Sequence, residues 1–297
     1  MNKKRIVLHM GHTKTGSSAI QSFLHSNAPL LKEQKATYYK PLNIYNNNPG
    51  KPNAGFLDAH HRNMQHLLDQ EIDELRRELS ETDVLILSDE TLFSKVKQYA
   101  SFKEFLRKID ADADIDVIIY LREQTSWLLS AWKQYIKGPA GVYSYRKWLR
   151  CNTWTADYYH MISELEKSFG KGHIYPRIYD RNAFLQGNLF TDFILTSGLQ
   201  WDERFDQQKG IYSNPSITFS IAKKKRYLNI LVKVLPNPWK EKWKRAIWRW
   251  SLKASNGKRE SIRYKGLSAK EIDKFKKEFK EGNRKLAQEY FGKEELF

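Results

Sequence analysis

Short apolar runs alternate with amphipathic stretches along this chain. Ile6 to Leu8, Val84 to Leu87 and Val117 to Leu121 are unbroken apolar runs of the kind that buried parallel strands carry. Tyr38-Tyr39 is a shorter strand candidate, and His173 to Tyr179 a further one, pushed towards an edge by Pro176. Between these runs the apolar positions follow a helical period. Ala19, Ile20, Phe23 and Leu24 predict a first helix, capped by Ser17 or Ser18. Met64, Leu67, Leu68, Ile72, Leu75 and Leu79 predict a long one over about 62–80, and 101–109 a shorter one. Trp127, Leu128, Ala131, Trp132 and Tyr135 stripe a helix over about 125–137. Further helices are expected over 144–150, over 154–169 up to Gly170, and over 189–195, before Gly198. The stretches 42–57 and 207–216 are polar and loop-like, and there is no internal repeat. Strands alternating with helices predict right-handed βαβ units and a parallel sheet, whose ligands gather at the carboxyl ends of the strands. Lys14, Glu90 and Arg122 each fall just past the end of a different predicted strand.

Composition narrows the class. At 297 residues with 40% hydrophobic and 13% aromatic residues, the chain can bury a large core and is not disordered by composition. Its single cysteine, Cys151, excludes an internal disulfide and fits a reducing compartment. No early apolar run is long enough for a signal peptide or a membrane span. The expectation for a complete chain is therefore a cytoplasmic protein, unlike membrane-anchored Golgi enzymes. The net charge of +17 calls for an anionic partner and is concentrated locally: residues 223–265 hold fifteen Lys or Arg against two acids, Glu241 and Glu260.

The chemistry begins at Gly11-His-Thr-Lys14-Thr-Gly16-Ser-Ser18, a glycine-bounded loop between the first strand and the first helix. Unpaired N–H groups and the positive end of a helix dipole make this an anion cradle, to which Lys14 adds a charge and Thr15, Ser17 and Ser18 add hydroxyls. It is not the ATP-binding P-loop, because the lysine precedes Gly16 and none follows it. A second stretch, Tyr120-Leu-Arg122 to Gln134, places Arg122 at a strand end and Ser130 eight residues on. A bidentate guanidinium and a compact donor suit a second phosphate.

Taken together, these two stretches resemble the 5′-phosphosulfate loop and the 3′-phosphate site of sulfotransferases that use 3′-phosphoadenosine 5′-phosphosulfate (PAPS). Leu87-Ser-Asp-Glu90, Leu189 to Gly198, Asn214-Pro-Ser216 and Asn283 to Phe297 are similar to the bacterial carbohydrate-sulfotransferase branch. The likeness is strongest over 6–24 and 117–135 and weakest over 220–265. It implies an α/β, P-loop-like three-layer fold with a central, mainly parallel sheet flanked by helices. One sulfotransferase domain would span 1–297, with a basic, Trp-rich helical insertion or appendage at about 220–265.

The resemblance further implies transfer of a sulfuryl group from PAPS to a carbohydrate hydroxyl by in-line displacement, leaving adenosine 3′,5′-bisphosphate, without a metal. Lys14 would follow charge onto the leaving oxygen. Residues Lys14, Thr15, Gly16, Ser17 and Ser18 would hold the 5′ side of the nucleotide, Arg122 and Ser130 the 3′-phosphate. The acceptor hydroxyl needs a general base, for which Glu90 ranks before His60 and His61. His60 and His61 border an open loop where an acceptor could enter, and His12, inside the cradle, would contact the sulfonate. His60-His61 do not make a metal pair, since adjacent histidines on a helix point different ways.

Pro236-Asn-Pro238 introduces a last feature. Trp239, Trp243, Ala246, Ile247 and Trp250 form an apolar stripe flanked by Lys240, Lys242, Lys244, Arg245 and Arg249. This is the pattern of an interfacial membrane helix, and it would place the protein peripherally at the inner face of the plasma membrane. It also suits an anionic glycan, or tryptophans packed on the protein's own core. No module signature accompanies it that would favour nucleic acid. Two rival readings follow: a membrane- or nucleic-acid-binding protein organised around 223–265, and a P-loop-like nucleotide kinase.

Overall fold

The computed structural model describes residues 3–42, 65–207, 216–256 and 265–297. In chain order the elements are β1 (Arg5–Met10), α1 (Ser17–Ser26), α2 (Ala28–Glu33), β2 (Ala36–Tyr38), α3 (Gln65–Glu81), β3 (Val84–Asp89), α4 (Tyr99–Ile109) and β4 (Asp114–Leu121). They continue with α5 (Gln124–Lys137), α6 (Tyr145–Asn152), α7 (Tyr158–Phe169), β5 (Ile174–Ile178), α8 (Leu189–Thr196), α9 (Phe219–Lys233), α10 (Asn237–Ser255) and α11 (Ala269–Phe291). The chain divides into two compact units. The first comprises Met1–Arg122, Tyr158–Tyr212 and Leu286–Leu296; the second comprises Glu123–Asp157, Ser213–Lys285 and Phe297. The described residues of 220–265 fall in the second, together with α5 and α6.

The first unit is an α/β fold around a five-stranded sheet of order β2-β3-β1-β4-β5, and every pairing is parallel. β1 sits in the middle, with Leu8 facing Leu87 of β3 on one side and Val117 of β4 on the other. β5 is an edge strand, where Pro176 removes no ladder bond that a further strand would need. Side chains alternate between the two faces of the sheet. Val7, Ile86, Ile118 and Tyr120 pack with Phe23, Leu24, Phe190 and Phe193 of α1 and α8. The opposite face is covered by helices that include α3, which packs on β3, and α7, which packs on β4 and β5.

Two polar groups inside this core are fully paired. Asp192 is completely buried and accepts from Tyr120 Oη at 2.8 Å, from Arg177 through Nε at 3.1 Å and through Nη2, and from the Leu185 amide at 2.9 Å. Asp116 accepts from Arg5 Nη2 at 2.7 Å and lies 3.0 Å from His173 Nδ1.

The second unit is helical. Trp127, Trp132, Tyr145, Trp148, Ile221, Phe275 and Phe279 belong to one core. The indole of the fully buried Trp132 donates to the Tyr143 carbonyl at 3.1 Å. Asn229 of α9 reaches the carbonyls of Ile136, Gly138 and Gly141 at 2.9–3.1 Å, closing the end of α5.

Three sequence expectations change. The helix over 154–169 is broken: a 3₁₀ turn, Thr153–Ala156, ends at Asp157 with non-helical φ/ψ of −79° and 77°, and α7 starts at Tyr158. The break coincides with the passage from the second unit to the first. The cap of α1 is Gly16 in the left-handed region at φ 83°, and neither Ser17 nor Ser18 caps the helix. The Trp stripe of α10 also splits. Ile247, Ser251 and Ser255 are buried, whereas Trp239, Trp243 and Trp250 are 55%, 50% and 38% exposed. Ile247 lies one turn from Trp243, so the boundary between covered and exposed positions runs along the stripe itself. Residues 43–64, with the start of the predicted long helix, and 208–215 lie outside the described residues.

Replacing Asp192 by Ala strands a buried tyrosine hydroxyl and a half-buried guanidinium. It should cost about 3 kcal/mol, read as a lower urea midpoint at unchanged m-value.

Candidate functional site

The site grows from the carboxyl end of β1. The strand order reverses between β1 and β4, the position where parallel sheets open a crevice. β1 ends at Met10, and Gly11 follows with its amide on the Asp89 carbonyl at 2.7 Å. A Cβ on Gly11 would stand 2.6 Å from that carbonyl and 2.7 Å from both the Glu90 Cα and Ser17 Oγ. Only glycine lets the chain pass this close to the end of β3. The loop then turns through Lys14 at φ 69° and Gly16 at φ 83°. For lysine this left-handed backbone costs roughly 1–2 kcal/mol.

Two hydrogen bonds hold the turn. Thr15 Oγ1 donates to the His12 carbonyl, and Arg122 Nη1, from just past the end of β4, donates to the Lys14 carbonyl at 3.2 Å. The loop then feeds α1, where Ala19 and Ile20 donate to the Gly16 carbonyl at 2.9 and 3.0 Å. No side chain caps this helix, and its first turn has no acid. The positive end of its dipole faces the loop, and the acid that reaches its first turn is Glu90, from the end of β3. Ser17 Oγ is buried inside the turn and has no hydrogen-bond partner among the described residues. A glycine-lined turn, an orphaned hydroxyl and an uncapped helix N-terminus fit an anionic group such as a phosphate.

Around the loop stand the other expected residues. Glu90 follows β3, and its Oε2 accepts from Ser18 Oγ at 3.2 Å. Burial holds the neighbouring Asp89 carboxyl above its usual range, opposed by bonds from the Thr91 amide and hydroxyl, each at 2.8 Å. His12 is buried, edge-on to Phe93 at 5.3 Å and to Tyr158 at 5.7 Å, and burial pushes its pKa down to about 3. Its ring is thus a neutral wall behind the loop. Lys14, Thr15, Gly16, Ser17, Ser18, His12, Glu90 and Arg122 all come together in the first unit. Ser130 is buried in α5 of the second unit. His60 and His61 lie outside the described residues. Among the described residues no three His, Cys, Asp or Glu side chains gather as a metal site.

Sequence reasoning missed two residues. Tyr179 presents its ring 6.0 Å from the Arg122 guanidinium and would meet a Cβ at Gly16 at 2.8 Å. Tyr158 Oη donates to the Arg122 carbonyl at 2.8 Å. A signal for Tyr179 existed: it is the first residue past β5, as Gly11, Glu90 and Arg122 follow β1, β3 and β4.

No protein-family model matches the chain. Over 214 residues it is 28% identical to an uncharacterized protein of Archaeoglobus fulgidus, a span of 72% of this chain and 55% of that protein. The chain thus spans about half the length of this curated relative. Among solved structures it has a distant similarity to a sulfotransferase from Alicyclobacillus acidocaldarius, with 14% identity and a TM-score of 0.43. That similarity covers 69% of this chain and 85% of the other. Among the described residues no helix is long and apolar enough to cross a membrane.

His9, beneath the loop on β1, shares the depression of His12 to about 3, again through burial. A folded pKa below the unfolded value of 6.5 makes stability complete above pH 6.5 and lost as pH falls towards 3. Urea unfolding should show about 2 kcal/mol less stability per buried histidine at pH 5 than at pH 7. Two histidine ring signals should stay at neutral shifts over that range.

Proposed function

We propose that this chain is a sulfotransferase that moves the sulfuryl group of PAPS to a carbohydrate hydroxyl. The observation that carries the reading is the hydrogen bond from Arg122 to the Lys14 carbonyl. It joins, at one sheet edge, the two stretches whose spacing matches a 5′-phosphosulfate loop and a 3′-phosphate arginine. The bound nucleotide would supply an activated sulfonate on a good leaving group. The chain's own residues would do the rest by positioning and electrostatic support. Backbone N–H groups of the turn and the Ser17 hydroxyl hold the 5′-phosphate, while Thr15 and Ser18 brace the loop through the His12 carbonyl and the Glu90 carboxylate. The left-handed backbone at Lys14 fixes where its ammonium leaves the loop, and that charge balances the developing charge on the bridging oxygen. Arg122, backed by the Tyr179 ring, holds the 3′-phosphate, and the sequence adds Ser130 to that role. Glu90, kept in place by Ser18, takes the acceptor proton, with His60 and His61 as the alternative bases.

Adenosine 3′,5′-bisphosphate should raise the melting temperature by several degrees, while ATP with Mg²⁺ leaves it unchanged. The reverse pattern would favour the kinase reading. Lys14→Ala should lower sulfate transfer from labelled PAPS at least a hundredfold and retain part of the thermal shift. Arg122→Ala should abolish the shift. Glu90→Gln should lower kcat with little change in nucleotide affinity, and near-normal turnover there would move the base to His60 or His61.

A further part of the proposal concerns location. The exposure of Trp239, Trp243 and Trp250 on one face of α10 supports docking on an anionic membrane surface. Lys242, Arg249 and Lys253 lie beside that face by helical period, and each basic group near an anionic leaflet contributes about 1 kcal/mol. The protein should co-sediment with vesicles containing 30 mol% phosphatidylglycerol and not with pure phosphatidylcholine. Replacing the three tryptophans by serine should remove most of that binding.

A further inference from the structure

The second unit carries an open cavity of about 330 Å³ lined by residues of α5, α9 and α10 and by Pro139. That volume lies at the small end of known ligand sites, roughly 300–1,000 Å³. Its wall holds four cations, Lys137, Lys225, Lys244 and Arg245, against one acid, Glu241. The carboxylate of Glu241 is already committed to Lys244 on the neighbouring turn, at 2.5 Å. The remaining charge in the wall is strongly positive.

Lys225 is the most telling of these groups. It is 2% exposed, and among the described residues its ammonium has one hydrogen bond, to Asn229 Oδ1 at 3.0 Å. An ammonium carries three donors, so two N–H bonds are available to the cavity. Asn229 cannot turn away to serve anything else, because its amide nitrogen is fixed on the three carbonyls of Ile136, Gly138 and Gly141. Burial lowers Lys225 to about 8, which leaves it mostly protonated at neutral pH. A buried cation without a carboxylate is costly unless an anion arrives. The remaining wall is apolar: Pro139, and Trp248, whose ring lies 5.9 Å from Lys137 Nζ.

We propose that this cavity binds a phosphomonoester on a sugar-sized carrier, with Lys225, Lys137 and Arg245 around the phosphate and Trp248 against the carrier ring. Excess positive charge favours a phosphate dianion over a singly charged sulfate ester. The indole offers a sugar an apolar face, and the volume accommodates one ring and its phosphate. All residues of this site belong to the second unit and those of the anion loop to the first, and the proposal does not rest on the sulfotransferase reading.

Isothermal titration of the full chain with glucose 6-phosphate, glucose 6-sulfate, glucose and inorganic phosphate tests the proposal. Glucose 6-phosphate should bind tightest, at least tenfold better than the sulfate ester or free phosphate, and glucose should give no heat. Lys225→Met, which keeps the side-chain length, should weaken the phosphate ester at least tenfold. Arg245→Gln, at an exposed position where folding is not at risk, should weaken it at least threefold. Saturating adenosine 3′,5′-bisphosphate should leave the titration unchanged. Equal binding of phosphate and sulfate esters, no binding at millimolar concentration, or full affinity in both variants overturns the proposal. So does competition by the bisphosphate, which would assign the heat to the loop after β1.

Discussion

The placement of β1 between β3 and β4 is the constraint on which the rest of the first unit depends. Because both pairings are parallel, the three strands end on the same side of the sheet, with Met10 beside Asp89 and β4 running past the His9 and Ile118 pair to Leu121. The residues that follow these ends, Gly11, Glu90 and Arg122, are delivered to one edge without any long-range search. Arg122 then closes the arrangement by taking the Lys14 carbonyl, and a left-handed lysine becomes sustainable. Strain of this kind persists only where surrounding structure over-determines it, and here two hydrogen bonds and a glycine-only approach to β3 do so.

Electrostatics divide between the two units in opposite ways. In the first, charges are matched: Asp192 with Arg177, and Asp116 with Arg5 and His173. The histidines that would add positive charge near the loop are held neutral by burial. At the loop itself the Ser17 hydroxyl is orphaned among the described residues, beside Lys14 and Arg122. In the second unit the imbalance is one of full charges, with cations around a cavity and along α10 and few acids to answer them.

The sheet was legible in the sequence because buried parallel strands leave unbroken apolar runs, and all five strands appear where those runs or their shorter relatives lie. The anion loop was legible for a different reason: glycines at 11 and 16 are needed by backbone geometry, not by packing, and such needs survive as residue identities. Helix ends were less secure. A serine before an apolar run reads as a cap, yet Gly16 took that place because the chain had to pass Tyr179 and Leu189 with no Cβ. The break at Asp157 carried no Gly or Pro and follows from the passage between units, which local periodicity does not encode.

By itself, then, the sequence determined the strands, the loop and the identity of the residues beyond each strand end, because backbone demands and buried runs are local. Only the tertiary structure decided which of those residues meet. It set Arg122 on the Lys14 carbonyl, made His12 a neutral wall and added Tyr179, since these depend on strand order and burial. It also decided that Trp239, Trp243 and Trp250 of α10 face outward while Trp248 and Lys225 line a cavity. A helical period reports which residues share a face, and the neighbours that cover a face come from distant parts of the chain.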